Sequence, residues 1–512
     1  MTTFEEMLAQ GHGFEGPALV LGAALHEGEP RRPPHVRIPL AMLNRHGLVA
    51  GATGTGKTRT LQLLAEQCAA QGIPVFAADV KGDLAGIARP GAAGPKVEER
   101  AAAVGLPWTP AGSPVEFVSL TGKLGAQLRA TVSSFGPLML GKVLDLNDTQ
   151  TGVLTLVFRH CDEHGLPLLD FADLRTVLRF LGSDEGRAEL EAIGGASRAT
   201  LGVLLRKMVE LEAQGAEQFF GEPEFDVRDL LHVAQDGKGM VTCLELADVQ
   251  DRPRLYSTFL MWLLAGLYQA LPEAGDLAKP RLVFFFDEAH LLFRDAPKAF
   301  LEQVEQVVRL VRSKGVGVIF VTQTPKDVPS SVLAQLGNRV QHALRAHTPE
   351  DDAAIRATVR TFPKTTFYDL DETLTSLGIG EAVVTALDPK GVPTPVVATR
   401  LAAPASRMGP LTAEEFQAEL AGSDLMAEYG TPVDRESAHE MLARRMEQAR
   451  AGDRGPGTGE RGAPRERVGK SVAAITVGAL AGAIGRTVGR EVIRGMFGLL
   501  GAKPPRTTRR RR

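Results

Sequence analysis

Eight consecutive residues carry the most specific chemistry in the chain: Gly51-Ala52-Thr53-Gly54-Thr55-Gly56-Lys57-Thr58, the pattern G-x-x-x-x-G-K-[ST]. Glycines let successive backbone N–H groups turn inward without a Cβ in the way, which makes an anion nest at the start of a helix. Lys57 then brings an ammonium to β- and γ-phosphates, and Thr58 offers a hydroxyl to Mg²⁺. The eight residues are candidates for holding a nucleoside triphosphate. A second constellation closes the apolar run Leu282-Val283-Phe284-Phe285-Phe286 with Asp287-Glu288. Carboxylates at the C-terminal end of a buried parallel strand face the crevice where ligands sit. Asp287 is the expected Mg²⁺ ligand, directly or through water, and Glu288 the expected general base for an attacking water. Two other strand ends are polar. Gln323, after Thr322, is suited to sensing a γ-phosphate or orienting water. Asp79, opening Asp79-Val80-Lys81-Gly82-Asp83, either supports the metal shell or the water, or simply makes a turn.

These residues need a scaffold that gathers strand ends. From His46 onward short apolar runs alternate with amphipathic stretches, the texture of an α/β fold with a parallel sheet. Strands are expected over 47–50, 74–78, 115–120, 240–246, 282–286, 316–322, 339–344, 381–387 and 394–399, with the turn Asp388-Pro389-Lys390-Gly391 joining the last two. Leu48-Val49-Ala50 precedes the glycine loop. Leu61, Leu64, Ala65 and Cys68 follow it at helical spacing, and Gly72 ends that helix. Residues 1–45 read as a short lead with a Pro-rich stretch, and 46–400 as the core. A helical insertion is expected over about 138–232, where Leu154, Val157, Phe158 and Cys161, then Leu201, Leu204, Leu205 and Met208, repeat at helical spacing. Residues 401–450 read as a helical segment with a capping box at Thr412 and Glu415. A Gly/Pro/Arg-rich linker follows over 451–469, then a Gly/Ala-rich basic tail over 470–512.

Composition bounds the class. The chain has 512 residues, 44% of them hydrophobic, with 55 Gly and 32 Pro, which excludes a collagenous or wholly disordered protein. Cys68, Cys161 and Cys243 are too scattered for a disulfide framework and suit a reducing compartment; a cytoplasmic protein is expected. The formal net charge of −3 hides an asymmetry: from Arg454 onward 14 Lys and Arg face three acids, so the body is acidic and the tail basic. Residues 1–10 have no apolar run of the kind a signal peptide needs, and the uncharged run over 471–485 is shorter than the roughly 20 residues of a membrane span. His160-Cys161-Asp162-Glu163-His164 has metal-binding letters. With no second cluster in the sequence, these histidines are expected simply to sit at a helix C-terminus. In the tail, Gly478 and Gly482, Gly485 and Gly489, and the stripe Arg486, Arg490 and Arg494 fit a helical, partly disordered segment. It would be free, on an anionic membrane surface, or on nucleic acid or a protein.

Taken together, the motifs resemble the HerA/FtsK superfamily of hexameric ATPases over about 46–400. The resemblance rests on the run His46–Thr58, on Asp79-Val80-Lys81-Gly82-Asp83, on Phe286-Asp287-Glu288-Ala289-His290, and on the run from Arg312 to Gln323. It is strongest to bacterial HerA-like proteins of the YjgR type, whose later segment is similar to Leu425-Met426-Ala427-Glu428-Tyr429-Gly430 and Asp434-Arg435-Glu436-Ser437-Ala438. The resemblance implies a RecA-like P-loop NTPase core, ATP and Mg²⁺ as cofactors, hydrolysis between adjacent subunits of a homo-hexamer or other ring, and DNA as the polymer moved. It also implies that Arg312 reaches a nucleotide across or within the subunit interface, with Arg339 as a second candidate, a task that suits the fixed charge and planar fork of arginine. Archaeal HerA motors carry an N-terminal β-barrel that docks a nuclease. Here 45 residues precede the core, so the insertion and tail are expected to supply any partner surface. Three readings stay open: a DNA translocase or helicase-like motor working with a nuclease or another protein, an ATP-driven regulatory or assembly scaffold on a protein partner, and a peripheral membrane motor anchored by its tail.

Overall fold

Residues 3–293, 298–346 and 348–453 are described by a computed structural model. The apolar runs pair into one sheet of twelve strands: β1 (Ala18–His26), β2 (Glu29–Pro39), β3 (Gly47–Ala50), β4 (Val75–Asp79), β5 (Val115–Ser119), β6 (Ala126–Gln127), β7 (Val241–Glu245), β8 (Leu282–Phe286), β9 (Val316–Thr322), β10 (Asn338–His342), β11 (Glu381–Thr385) and β12 (Val397–Leu401). Their order is β2-β1-β12-β11-β10-β3-β9-β8-β4-β7-β5-β6. Neighbours from β10 to β6 are parallel. Neighbours from β10 outward to β2 are antiparallel.

Parallel strands are covered on both faces, so they read as unbroken apolar runs. β8 is buried at every position. Its Phe284 ring packs 5.1 Å from Phe76 on β4, and Phe286 stacks 5.8 Å from Phe320 on β9. Truncating one such ring to Ala costs about 3–5 kcal/mol. This packing fixes the register: Phe286 pairs with Ala78 and with Phe320, Thr322 with Ala50, and Asp79 with Glu245. The C-terminal ends of β3, β4, β7, β8 and β9 therefore finish along one edge. The helix Lys57–Ala70 follows β3, buries Leu61, Leu64, Ala65 and Cys68, and is followed by Gly72 at φ +69°.

The antiparallel flank differs from expectation. Residues 1–45 are not a lead: after the helix Phe4–His12, β1 and β2 form a hairpin, and β1 joins β12. The Pro-rich stretch Glu29–Pro34 masked β2 in the sequence, but β2 is the edge strand, where prolines are tolerated, and Pro33 and Pro34 fall in the register shift between Arg31 and Val36. The expected turn after β11 is present, with Gly391 N–H donating to Asp388 O at 2.8 Å. Chain contacts divide the molecule into two units. The sheet belongs to Met1–Arg129, Gln214–Phe219 and Pro223–Pro432. The second unit comprises Ala130–Ala213, Phe220–Glu222 and the chain from Val433. Its helices include Asp148–His164, Phe171–Gly182, Arg198–Glu212 and Ala438–Asp453. The insertion thus starts earlier and ends earlier than 138–232, and it gains a helix from the later segment. Thr412 and Glu415 form the expected capping box, on a helix of the sheet unit. The tail over 470–512 and all but the first three residues of the 451–469 linker lie outside the described residues. No helix among the described residues is long and apolar enough to cross a membrane.

Candidate functional site

The phosphate-type loop leaves β3 and enters its helix over Gly51–Lys57, anchored on both sides. Gly51 N–H donates to Thr322 O at 3.3 Å and Ala52 N–H to Ala343 O at 2.8 Å. Gly51 has φ +155°, and a Cβ there would stand 2.4 Å from the Cβ of His342. Gly54 (φ +78°) and Gly56 (φ +111°) supply the other positive torsions. Thr55 Oγ1 donates to Ala52 O at 2.7 Å, and Gly380 N–H donates to Thr55 O at 3.0 Å. Lys57 is buried, with Nζ donating to Ala52 O at 3.2 Å. Burial lowers its pKa, opposed by the nearby charges of Glu288 and Asp287. Thr58, half-buried, is the second residue of the helix.

One strand, β9, lies between β3 and β8. Across it, Asp287 and Glu288 are 5% and 6% exposed. Burial pushes the Asp287 carboxyl up to about 7, with the adjacent Glu288 charge adding to the effect and the backbone hydrogen bond from Glu288 opposing it. A buried carboxylate in that state is stabilised by a cation. Hard oxygen donors, the Asp287 carboxylate and the Thr58 hydroxyl, are the chemistry Mg²⁺ prefers, so the residues present fit that ion.

Glu288 sits at φ +46°, a backbone state uncommon outside glycine and enriched at functional sites. Lys81 Nζ donates to its Oε1 at 2.5 Å. His290 Nδ1 is 3.3 Å from Oε2, without hydrogen-bond geometry. Burial works to raise the Glu288 pKa, but the hydrogen bond and charge of Lys81, with His290 and Lys57, outweigh it and hold the group below its ordinary value.

Lys81 owes its place to Asp79. The Asp79 carboxylate accepts from the backbone N–H groups of Lys81 (3.0 Å), Gly82 (2.8 Å) and Leu84 (2.8 Å). Of the two readings of Asp79, the turn is the one its hydrogen bonds express. That turn carries Lys81 across to Glu288. Two more groups border the loop without a sequence signal of their own. Asp327 accepts from Thr322 Oγ1 at 2.6 Å and lies close enough to influence the Lys57 charge. His342 packs under Gly51, and its Nε2 is 2.8 Å from Thr60 Oγ1.

Gln323 is exposed at the end of β9, on the same edge as the loop and the two carboxylates. The two arginines are not on that edge. Arg312 is exposed in the turn before β9. Six steps along a strand at about 3.3 Å put roughly 20 Å of sheet between it and Thr322. That separation keeps it away from the loop of its own chain. Arg339, near the start of β10, donates to the carbonyls of Leu333 (3.4 Å), Leu336 (3.4 Å) and Thr361 (3.3 Å). Its guanidinium ties down the chain's own backbone, and the structure does not bring it to the loop.

Comparison with known proteins gives one family match. The family described as "Helicase HerA-like C-terminal" matches residues 25–505. The DNA double-strand break repair helicase HerA of Sulfurisphaera tokodaii is 26% identical over 162 residues, 31% of this chain and 32% of that protein. A protein named "Probable helicase MJ1565", from Methanocaldococcus jannaschii, is 32% identical over 115 residues, 22% of this chain and 21% of that one. The matches thus span about a third and a fifth of these relatives. Among solved structures, the bacterial conjugative coupling protein TrwBdeltaN70 superposes with a TM-score of 0.50 at 15% identity, covering 78% of this chain and 91% of that one. That likeness identifies the sheet and its flanking helices as a RecA-like fold.

Proposed function

Because the chain belongs to the HerA-like helicase C-terminal family, and so to a superfamily of ATP-driven P-loop motors, we propose that it hydrolyses ATP with Mg²⁺ and uses the energy to move along DNA as a ring. The observation that carries the hydrolytic part is the strained Glu288, buried beside Asp287 at the strand ends that face Lys57. When bound, Mg²⁺ supplies charge neutralisation on the phosphates, held by Asp287 and the Thr58 hydroxyl. The protein's own groups do the rest. The N–H groups of Gly51–Thr58 cradle phosphate oxygens, and Lys57 leaves the Ala52 carbonyl to reach them. Glu288 takes the proton of the attacking water, and exposed Gln323 orients that water.

DNA is favoured as the polymer by the repair helicase among the chain's relatives, although only about a third of that protein is matched. Sharing of the site between subunits is favoured by Arg312, exposed and far from its own loop, where a neighbour's nucleotide is within its scope. The test is the ATPase rate of the wild type and of Glu288→Gln with no DNA, single-stranded DNA and duplex DNA. Stimulation by either DNA, lost in the variant, is the expected result. Hydrolysis indifferent to both DNAs removes the DNA motor and leaves a protein-directed ATPase.

A further inference from the structure

The helical unit holds a group of donors remote in sequence from the phosphate loop. His160 and His164 lie one turn apart at the end of the helix Asp148–His164, and the short helix Arg187–Ala192 brings Glu189 against them. One donor atom from each of the three side chains lies within 4.8 Å of the others. His160 is 1% exposed, yet neither of its ring nitrogens has a hydrogen-bond partner, and Glu189 Oε2 is likewise buried without one. Buried polar atoms are nearly always paired, so an orphaned imidazole aimed at an orphaned carboxylate oxygen calls for a ligand.

We propose that His160, His164 and Glu189 bind a divalent transition cation, zinc above all, with the fourth position open to water. Tetrahedral zinc with bonds of about 2.0–2.1 Å needs donors about 3.3 Å apart. His160 Nε2 and Glu189 Oε2 stand 3.3 Å apart already. The outer partners are in place. His164 Nδ1 is 2.8 Å from the His160 carbonyl, so Nδ1–H donates there and Nε2 is left bare for a metal. Glu189 Oε1 is paired with Arg445, which orients the carboxylate and leaves Oε2 free. The helix bearing the histidines is fixed at both ends, by the capping box of Asn147 and Gln150 and by Gly165 at φ +64°. His164 is exposed and offers the route of entry. Two imidazoles and one carboxylate suit Zn²⁺, Ni²⁺ or Cu²⁺ rather than Mg²⁺, which separates this site from the nucleotide site. A bound ion joins the two helices to each other.

The test uses the tag-free full chain, stripped with chelator and titrated with Zn²⁺ by calorimetry in the absence of nucleotide. Co²⁺ titration follows in parallel, since its visible absorption reports tetrahedral nitrogen and oxygen ligation. One Zn²⁺ per chain is expected. His164→Ala removes an exposed ligand, so the fold is retained, as circular dichroism will verify, and Kd rises by more than about 100-fold, beyond the 10–100-fold range of outer-partner changes. Glu189→Gln should weaken binding in the same direction. No saturable zinc binding by the wild type, or unchanged affinity in His164→Ala, overturns the site.

Discussion

Lys81 Nζ rests 2.5 Å from Glu288 Oε1, joining two strand ends that are 207 residues apart in sequence. The pair sets the pH range of any base catalysis by Glu288. Lys81 lowers the carboxyl pKa against a burial effect that would raise it, so the base stays ionised to lower pH. In Lys81→Met burial is left unopposed by that partner, and the base form is lost at higher pH. The acid limb of the kcat–pH profile should therefore move upward in Lys81→Met. An acid limb that stays where it is in the wild type disconnects the pair from hydrolysis.

Glu288→Gln keeps the size of the side chain and a hydrogen-bonding group but removes the base. Turnover should fall by about 10²–10⁴-fold. Binding of a fluorescent ATP analogue should be retained, because the Gly51–Thr58 loop is untouched. Loss of binding in step with turnover would mean that Glu288 holds the loop together rather than activating water.

The two loop glycines Gly51 and Gly54 should respond differently to alanine. Both have positive φ, but a Cβ on Gly51 meets His342 at 2.4 Å, whereas nothing lies within 4 Å of one on Gly54. Gly54→Ala carries mainly backbone strain, of the order of 1–3 kcal/mol. Gly51→Ala adds a clash against a packed strand and should lower both the melting temperature and nucleotide affinity further. Equal effects at the two positions would contradict the close approach of His342.

What the sequence made legible was what local spacing encodes. The run Gly51–Thr58 is contiguous, and β8 is an uninterrupted apolar segment ending in two acids, so both could be read and assigned to one edge of a parallel sheet. Lys81 could not, because its role comes from a turn built by Asp79 and from pairing with a residue 207 positions away. Asp327 and His342 are ordinary polar residues until the sheet order sets them beside the loop. β2 was hidden by prolines that only an edge strand tolerates. Glu189 lies on a different helix from His160 and His164, so helical spacing showed only two histidines at a helix C-terminus and not the third donor beside them.

Arg312 carries the test of assembly. Since it stands about 20 Å of strand away from its own loop edge, the proposed ring would have it serve a neighbour's nucleotide. Arg312→Ala should then lower turnover by roughly 10³–10⁵-fold, the range of an arginine finger. Mixing Arg312→Ala with Lys57→Ala should recover part of the activity, because a mixed interface pairs an intact arginine with an intact loop. Sedimentation in the presence of ATP should detect an oligomer. A strict monomer that hydrolyses ATP at full rate would remove both the arginine and the ring.

Glu245 gives a stability prediction with a definite sign. It ends β7 directly beside Asp79 of β4, is buried, and has an unpartnered Oε1. Burial, then the charges of Asp79, Asp248 and Asp83, push its pKa from the ordinary carboxylate range to about 8. A raised folded-state pKa means that the folded chain holds a proton the unfolded chain releases above about pH 4.3. The stabilising contribution is complete below that pH and is lost as pH rises through 8. Glu245→Gln keeps a neutral group of the same size at every pH. Its melting temperature should therefore match the wild type near pH 4.5 and exceed it progressively up to pH 9, by about 2–4 °C for each kcal/mol gained. Thermal denaturation of the nucleotide-free protein across that range measures the gap. A difference that stays constant with pH would show that Glu245 is ionised in the folded chain throughout.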